Sequence, residues 1–249
     1  MKFNRYLYMF LALGLVLCFF SCDGSGSSDR SGIVGPKYTS TPENRSGVSV
    51  GDLVLGNKNT CTADNYKNDP ASYAEDGDVV GIVVYKGETG TVGITDKVYM
   101  VGLNQGTNLI WAPDATTGYT TEFATSQTAG EDNWAVIEAT DAAGAADAVT
   151  NYPAFNFANT YNVSGYSSGW FLPSFKEIRE IYNIKHYINE GIEAIGSGAK
   201  LPTDGYMCSS SQSTSDVECI SRVALNNGGP SGFGDKKGSY IVRVVHTLD

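Results

Sequence analysis

This chain is poor in the residues that carry most protein chemistry. Among 249 residues there are two histidines, His186 and His246, and five cysteines. Neither histidine has an acid or a nucleophile beside it in sequence, so both read as structural rather than as part of a catalytic arrangement. No close cysteine pair exists, which removes the usual zinc patterns, and no metal or cofactor is expected. Cys61, Cys208 and Cys219 lie beyond the leader; three is odd, so no complete disulfide framework is available. Cys208 and Cys219 can be read as free thiols or as a bridge across a hairpin. Charge is scarce too, at 18% of residues, with 17 basic against 27 acidic side chains and a net charge of −10. An acidic surface repels phosphate backbones, so nucleic acid is excluded as a partner.

Long apolar runs are also missing, apart from one at the start. Lys2 and Arg5 precede an unbroken apolar stretch from Tyr6 to Phe20, followed by Ser21-Cys22. The stretch falls short of the roughly 20 apolar residues that a spanning helix needs. It reads as an export signal. A small residue before a cysteine reads as a lipoprotein cleavage point: residues 1–21 leave and Cys22 carries the lipid. Phe19-Phe20-Ser21 is a relaxed form of that motif, of the kind used by spirochaetes; an ordinary signal peptide ending near a cysteine is the other reading. Loss of Lys2 and Arg5 takes the net charge from −10 to −12. Residues 22–46 open with Asp23-Gly24-Ser25-Gly26-Ser27-Ser28, which cannot bury apolar area and reads as a flexible tether. Residues 47–249 are long enough for one domain with a true core.

What the chain does contain is glycine (29), tyrosine (15) and many short apolar stretches. Val48 to Leu55 alternates and then turns at Gly56-Asn57, predicting an edge strand and hairpin. Val79 to Tyr85 is apolar throughout and predicts a strand buried on both faces. Val98 to Leu103 predicts another, with Leu109 to Ala112 as its partner. Pro113 to Asp132 reads as long loops, and Asp132-Asn133-Trp134 as a loop before a strand. Tyr152 to Tyr161 predicts a short helix, with Pro153 at its first position and Ala154, Phe157, Ala158 and Tyr161 on one face. Ser174 and Glu177 form a capping box opening a second helix, whose buried stripe is Phe175, Ile178, Ile181 and Tyr182. Asn183 and Gly191 divide this region into two short helices, ending by Gly196-Ser197-Gly198. Strands follow at Met207 to Ser211 and Val217 to Leu225. A glycine-rich loop then leads to a last strand, Ser239 to Val245. Strands at both ends of a helical middle give an α+β fold.

Three segments together resemble one family. Gly169-Trp170-Phe171-Leu172-Pro173-Ser174-Phe175-Lys176-Glu177 is similar to the Trp-x-Leu-Pro-Ser/Thr-x-x-Glu segment of C-type lectin folds of the formylglycine-generating-enzyme type. Ser209-Ser210-Ser211 resembles the Trp-Ser-Ser-Ser strand of that group, with Cys208 where tryptophan is usual. Tyr240-Ile241-Val242-Arg243-Val244-Val245 resembles its closing Tyr-x-Val-Arg-x-Val strand. Within the group, the chain resembles the variable proteins of diversity-generating retroelements, notably spirochaetal surface lipoproteins, and the C-terminal domain of the Legionella collagen-like adhesin. The resemblance covers about Gly47 to the end and implies a C-type-lectin-like fold of short antiparallel sheets with two or three helices. It also implies a diversified ligand-binding surface over about residues 206–245. The Glu-Pro-Asn or Gln-Pro-Asp and Trp-Asn-Asp signatures of calcium-dependent sugar lectins are absent.

Alternation selects the same surface. If Val223 and Leu225 face the core, Arg222 and Ala224 face out. The turn after them supplies Asn226, and the following loop supplies Ser231, Phe233 and Asp235. An exposed phenylalanine beside arginine and small polar residues has the character of a protein-binding patch. The expected function is a lipoprotein anchored through Cys22 in the outer membrane. It would bind a macromolecular or glycan ligand through Arg222, Ala224, Asn226, Ser231, Phe233 and Asp235. A fixed glycan or glycosaminoglycan site is the alternative, with Lys236-Lys237 and Arg222 as its basic cluster. A formylglycine-type oxidase would need Cys208 and Cys219 adjacent and activated. Cys208 stands at a structural position with no histidine near it in sequence, so no enzyme activity is expected. Arg243, between apolar neighbours on a strand, is expected to anchor a carboxylate or a carbonyl.

Overall fold

The strand expected at Val79 forms as β4 (Val79–Lys86). Val80 and Val83 enter one apolar cluster, while Ile82 and Val84 enter the other. A strand without a polar face has to lie inside a sheet that is covered on both sides. The computed structural model describes residues 38–39, 47–86 and 97–248, with side chains left out at 38, 39, 86 and 230–232. The expected leader, with Cys22, and most of the expected tether lie outside the described residues. β4 sits inside a six-stranded sheet with β1 (Tyr38–Thr39), β2 (Leu53–Leu55), β3 (Asn59–Cys61), β5 (Val98–Gly102) and β11 (Val245–Leu248). Their order is β1-β3-β2-β4-β5-β11, and every pairing is antiparallel.

A second, five-stranded sheet contains β6 (Gly106–Leu109), β7 (Tyr206–Gln212), β8 (Cys219–Ala224), β9 (Pro230–Asp235) and β10 (Tyr240–Val242), in the order β6-β10-β7-β8-β9. Only β10 and β7 run parallel; the other pairs are antiparallel. The helices α1 (Ala63–Asn68), α2 (Thr117–Thr120), α3 (Asn133–Thr140), α4 (Ala142–Ala146), α5 (Ala148–Asn151), α6 (Pro153–Asn159), α7 (Phe175–Asn183) and α8 (Lys185–Ile195) make the architecture α+β. Pro153 opens α6 as expected. The capping box opens α7: Ser174 Oγ accepts from the Glu177 N–H, and a Glu177 carboxylate oxygen accepts from the Ser174 N–H. Ile178, Ile181, Ile188 and Ile192 carry α7 and α8 into one core cluster, and Gly196 ends α8 in the left-handed conformation.

Several expectations fail for identifiable reasons. β2 is interior rather than an edge, because the hairpin at Gly56-Asn57 returns as β3 and β4 covers its other side. Leu109 does not pair with β5; β6 pairs with Tyr240 and Val242 in the second sheet. Asp132-Asn133-Trp134 leads into a helix instead of a strand. Val136 and Ile137 suggest a strand, but Ala135, Glu138 and Ala139 favour helix, and the Asn133 side chain is tied to Ser126 and Ser210. The glycine-rich loop is in part a strand, β9, whose glycines lie against β8. The last strand breaks in two at Arg243-Val244: β10 belongs to one sheet and β11 to the other.

The break has a cause. Arg243 is fully buried and turns aside to serve backbone carbonyls. Its Nη1 donates to the Gly102 and Leu103 carbonyls, at 3.1 Å each, and its Nη2 donates to the Ala199 carbonyl. Burial lowers its pKa to about 10, which still leaves the guanidinium charged at neutral pH. The fork therefore ties β5 and the loop after α8 to the crossing point between the sheets. An ammonium cannot span three acceptors in this planar geometry. Arg243→Lys is accordingly expected to cost about 2–4 kcal/mol through stranded buried carbonyls, measured by urea unfolding.

The three segments that carried the resemblance touch one another. Phe171 and Val245 exchange backbone hydrogen bonds of 2.9 and 3.0 Å, and the Ser210 N–H donates to the Pro173 carbonyl at 2.8 Å. The Phe175 N–H donates to Ser211 Oγ at 2.9 Å. Trp170 and Phe171 are buried, as expected. The serine strand is thus a buried polar seam between α7 and the second sheet, each hydroxyl matched to a backbone or amide partner.

Candidate binding surface

The surface forms at the β7–β8–β9 end of the second sheet. Paired strand residues point to the same side, so register sorts the side chains. Tyr206 pairs with Ala224 and Cys208 with Arg222, which puts these four on one face. Val223 and Leu225 are buried on the other, as alternation predicted. Asp235 pairs with Cys219, and Phe233 lies two residues before it, so both belong to the face opposite Arg222. Asn226 is exposed in the turn joining β8 and β9. The Ser231 side chain lies outside the described set. The five positions with described side chains therefore lie on β8, on β9 and in the turn between them, but not on one face. Because β9 is the sheet edge, a ligand seated on that edge can reach both sides.

Arg222 is held rather than loose. Its guanidinium carbon lies 3.6 Å from the Tyr206 ring centroid and 5.8 Å from that of Tyr240. A side-chain carbon at Gly234 would stand 2.5 Å from Arg222 Cδ and 2.7 Å from Tyr240 Oη, so glycine there leaves room for the arginine to lie across β9. Gly228, at φ +68°, makes the β8–β9 turn, where a side chain would collide with the Tyr182 ring. Phe233 is 65% exposed and Tyr206 40%, which settles that Phe233 does not tuck beneath its own segment. The exposed large hydrophobic side chains among the described residues are Val149, Tyr187, Tyr206, Val217 and Phe233, and three of these five belong to this sheet or its β7–β8 loop.

Sequence reasoning missed Tyr206 and Tyr240. Parity puts Tyr206 on the same face as Cys208, but the pairing of Cys208 with Arg222 that brings Tyr206 to the arginine is visible only in the structure.

The expected basic cluster does not form. Lys236 is fully buried, its Nζ donating to the Gly118 and Thr121 carbonyls at 2.9 Å each, within 4.9 Å of the Trp111 ring centroid. Burial lowers its pKa to about 8. It anchors the short helix α2 instead of facing a polyanion. Lys237 lies 3.6 Å from Asp114 and 3.9 Å from Asp235, so its charge is already met. Cys208 and Cys219 are both free thiols, so no bridge joins them. Burial pushes the Cys208 thiol well up. Burial also raises Cys219, with Asp216 adding to the effect, the reverse of what a reactive thiolate needs. His246 is structural: its Nε2 is 2.8 Å from the Ser168 carbonyl and its ring packs on Tyr166 and Trp170. Among the described residues no group of three or more His, Cys, Asp or Glu side chains is arranged to hold a metal ion, and no helix is long and apolar enough to cross a membrane.

No protein-family model and no curated protein matches this chain. A solved structure does: a fimbrial protein from Bacteroides ovatus, at a TM-score of 0.52 and 15% identity. The match covers 80% of this chain and 48% of the fimbrial one, so the chain spans about half the length of that protein. At this identity the likeness is one of fold alone.

Proposed function

We propose that this chain is a surface-displayed lipoprotein, held in the outer membrane by a lipid on Cys22, whose C-type-lectin-like domain binds a macromolecular or glycan ligand through the β8–β9 end of its second sheet. The observation that carries this reading is an exposed Tyr206 stacked on an arginine already fixed by two tyrosines, with Phe233 exposed on the opposite face of the same sheet edge. Aromatic and arginine side chains dominate binding energy at protein surfaces. An arginine immobilised before binding loses little further entropy when a ligand arrives. The scaffold beneath is rigid: Val223 and Leu225 are buried, and the serine seam locks β7 to α7. Tolerant positions on a fixed frame are what a diversified surface over residues 206–245 requires. The fimbrial neighbour is in keeping with a place at the cell surface.

The test uses cells displaying the full chain on an array of glycans and extracellular proteins. Joint replacement of Arg222, Asn226, Phe233 and Asp235 by alanine is expected to abolish capture. These side chains are exposed or half-buried, so the thermal midpoint should fall by less than about 6 °C. Capture that survives the fourfold change places the binding surface elsewhere, and a parent chain that captures nothing defeats the reading.

A further inference from the structure

A concavity opens beside the β7–β8 loop, at the end of β7 away from Tyr206. Its volume is about 410 Å³, in the range of small-molecule sites. Its floor is Gln212, only 3% exposed. Three hydrogen bonds fix that residue: its N–H donates to Thr125 Oγ1 at 2.8 Å, its carbonyl accepts from Gln127 Nε2 at 2.6 Å, and its side-chain oxygen accepts from the Phe123 N–H at 2.9 Å. A backbone N–H can only donate, so the atom facing Phe123 is the amide oxygen, and the amide nitrogen is the free end. No hydrogen bond joins that nitrogen to a described residue, and Gln212 lines the pocket. A nearly buried amide with two unmet donors on a pocket floor needs an acceptor from outside.

The walls specify what kind. Thr125, Ser213 and Thr214 bring hydroxyls, Glu122 and Asp216 bring carboxylates at the rim, and Val217 gives an apolar side. No lysine or arginine lines the pocket, so an anionic ligand has no counter-charge there. The loop is preformed: the Ser213 N–H donates to the Cys219 carbonyl at 2.8 Å, the Ser215 N–H to Ser213 Oγ at 3.3 Å, and the Glu218 N–H to Asp216 Oδ1 at 3.0 Å. A ligand must therefore accept from a fixed amide, donate to carboxylates, and carry no negative charge. Vicinal hydroxyls do both.

We infer that this pocket is a subsite for one neutral saccharide unit, with the Gln212 amide and the Asp216 and Glu122 carboxylates as its polar contacts. It is separate from the Arg222 face and does not depend on the function proposed for it. The test titrates the full chain with methyl glycosides of glucose, galactose, mannose and N-acetylglucosamine, followed by saturation-transfer NMR, to about 50 mM because a single sugar binds in the millimolar range. At least one glycoside is expected to bind. Gln212→Glu keeps the acceptor for Phe123 but removes the donor, and Ser215→Trp fills the mouth from an exposed position. Each is expected to weaken binding by about tenfold or more. The fourfold Arg222, Asn226, Phe233 and Asp235 alanine variant should bind the sugar like the parent, so this subsite and the proposed ligand surface fail independently. Absence of binding by all four glycosides overturns the inference. Binding unchanged in Ser215→Trp, which does not disturb the core, overturns it as well. So does equal or better binding of glucose 6-sulfate.

Discussion

Trp111→Ala is expected to destabilise the domain by about 4 kcal/mol, the cost of removing a large aromatic from a packed core. For a domain of this size that is a fall in the thermal midpoint of roughly 8–16 °C. Trp111 is fully buried at the centre of an aromatic cluster. Its ring centroid lies 5.1 Å from Phe155, 5.7 Å from Phe123 and 6.0 Å from Tyr152. The indole N–H donates to the Ser209 carbonyl at 3.1 Å, which links the cluster to the serine strand. The Lys236 ammonium sits over the same ring and would lose that partner. Three effects therefore add in one direction: the cavity, a stranded carbonyl and a weakened cation–π contact. Trp111→Phe separates them. It keeps most of the ring packing and loses the N–H, so the expected cost is about 1–2 kcal/mol. Phe233→Ala is the control at an exposed aromatic, expected within about 0.5 kcal/mol of the parent. Urea unfolding measures all three, and a Trp111→Ala cost no larger than that of Phe233→Ala would mean the cluster is not the core.

Trp111 also shows where sequence reading stops. Leu109 to Ala112 looks like a strand by composition, and nothing local reveals that the chain leaves the sheet after Leu109 to bury one indole. The readable parts were those where a local rule and the tertiary environment agree. Ser174 and Glu177 form a capping box three residues apart, and Val79 to Tyr85 has no polar face to expose. Parity along β8 was readable because Val223 and Leu225 can only go inward. The unreadable parts depend on partners far away in the chain. Lys236 looks like a surface lysine beside Lys237, yet it is buried by carbonyls contributed at Gly118 and Thr121, more than a hundred residues earlier. Residues 230–235 read as a glycine-rich loop because their strand character comes only from pairing with β8. The floor of the saccharide pocket was invisible for the same reason: Gln212 is one of three glutamines, and only contacts from Phe123, Thr125 and Gln127 turn its amide into a directed donor.

The domain is expected to lose stability as pH rises from about 4.5 to about 7, and one residue supplies most of that slope. Glu177 is almost completely buried, and burial lifts its carboxyl from 4.5 to about 7, against the lowering effect of the Ser174 and Gly130 N–H groups. In the unfolded chain the same carboxyl titrates near its ordinary value. Between the two pKa values the folded chain binds more protons than the unfolded one, so stability falls as pH increases. The group costs nothing below about pH 4.5 and its full penalty above about 7. A shift of this size corresponds to roughly 3 kcal/mol. Asp52, also raised by burial, adds to the slope in the same direction. Glu177→Gln isolates the larger contribution. Its amide oxygen can still accept from the Ser174 and Gly130 N–H groups, which lie 2.7 and 3.0 Å from the carboxylate oxygen. It has no charge to desolvate. The variant should therefore match or fall below the parent at pH 4 and exceed it by roughly 2–3 kcal/mol at pH 8. Glu177→Ala should be less stable than the glutamine variant at every pH, since it strands both donors. Denaturant unfolding of the three proteins from pH 4 to pH 8 decides the matter. Parallel curves for the parent and Glu177→Gln would show that the capping carboxylate stays ionised in its buried site, and that the helix start is held by charge and not by hydrogen bonding alone.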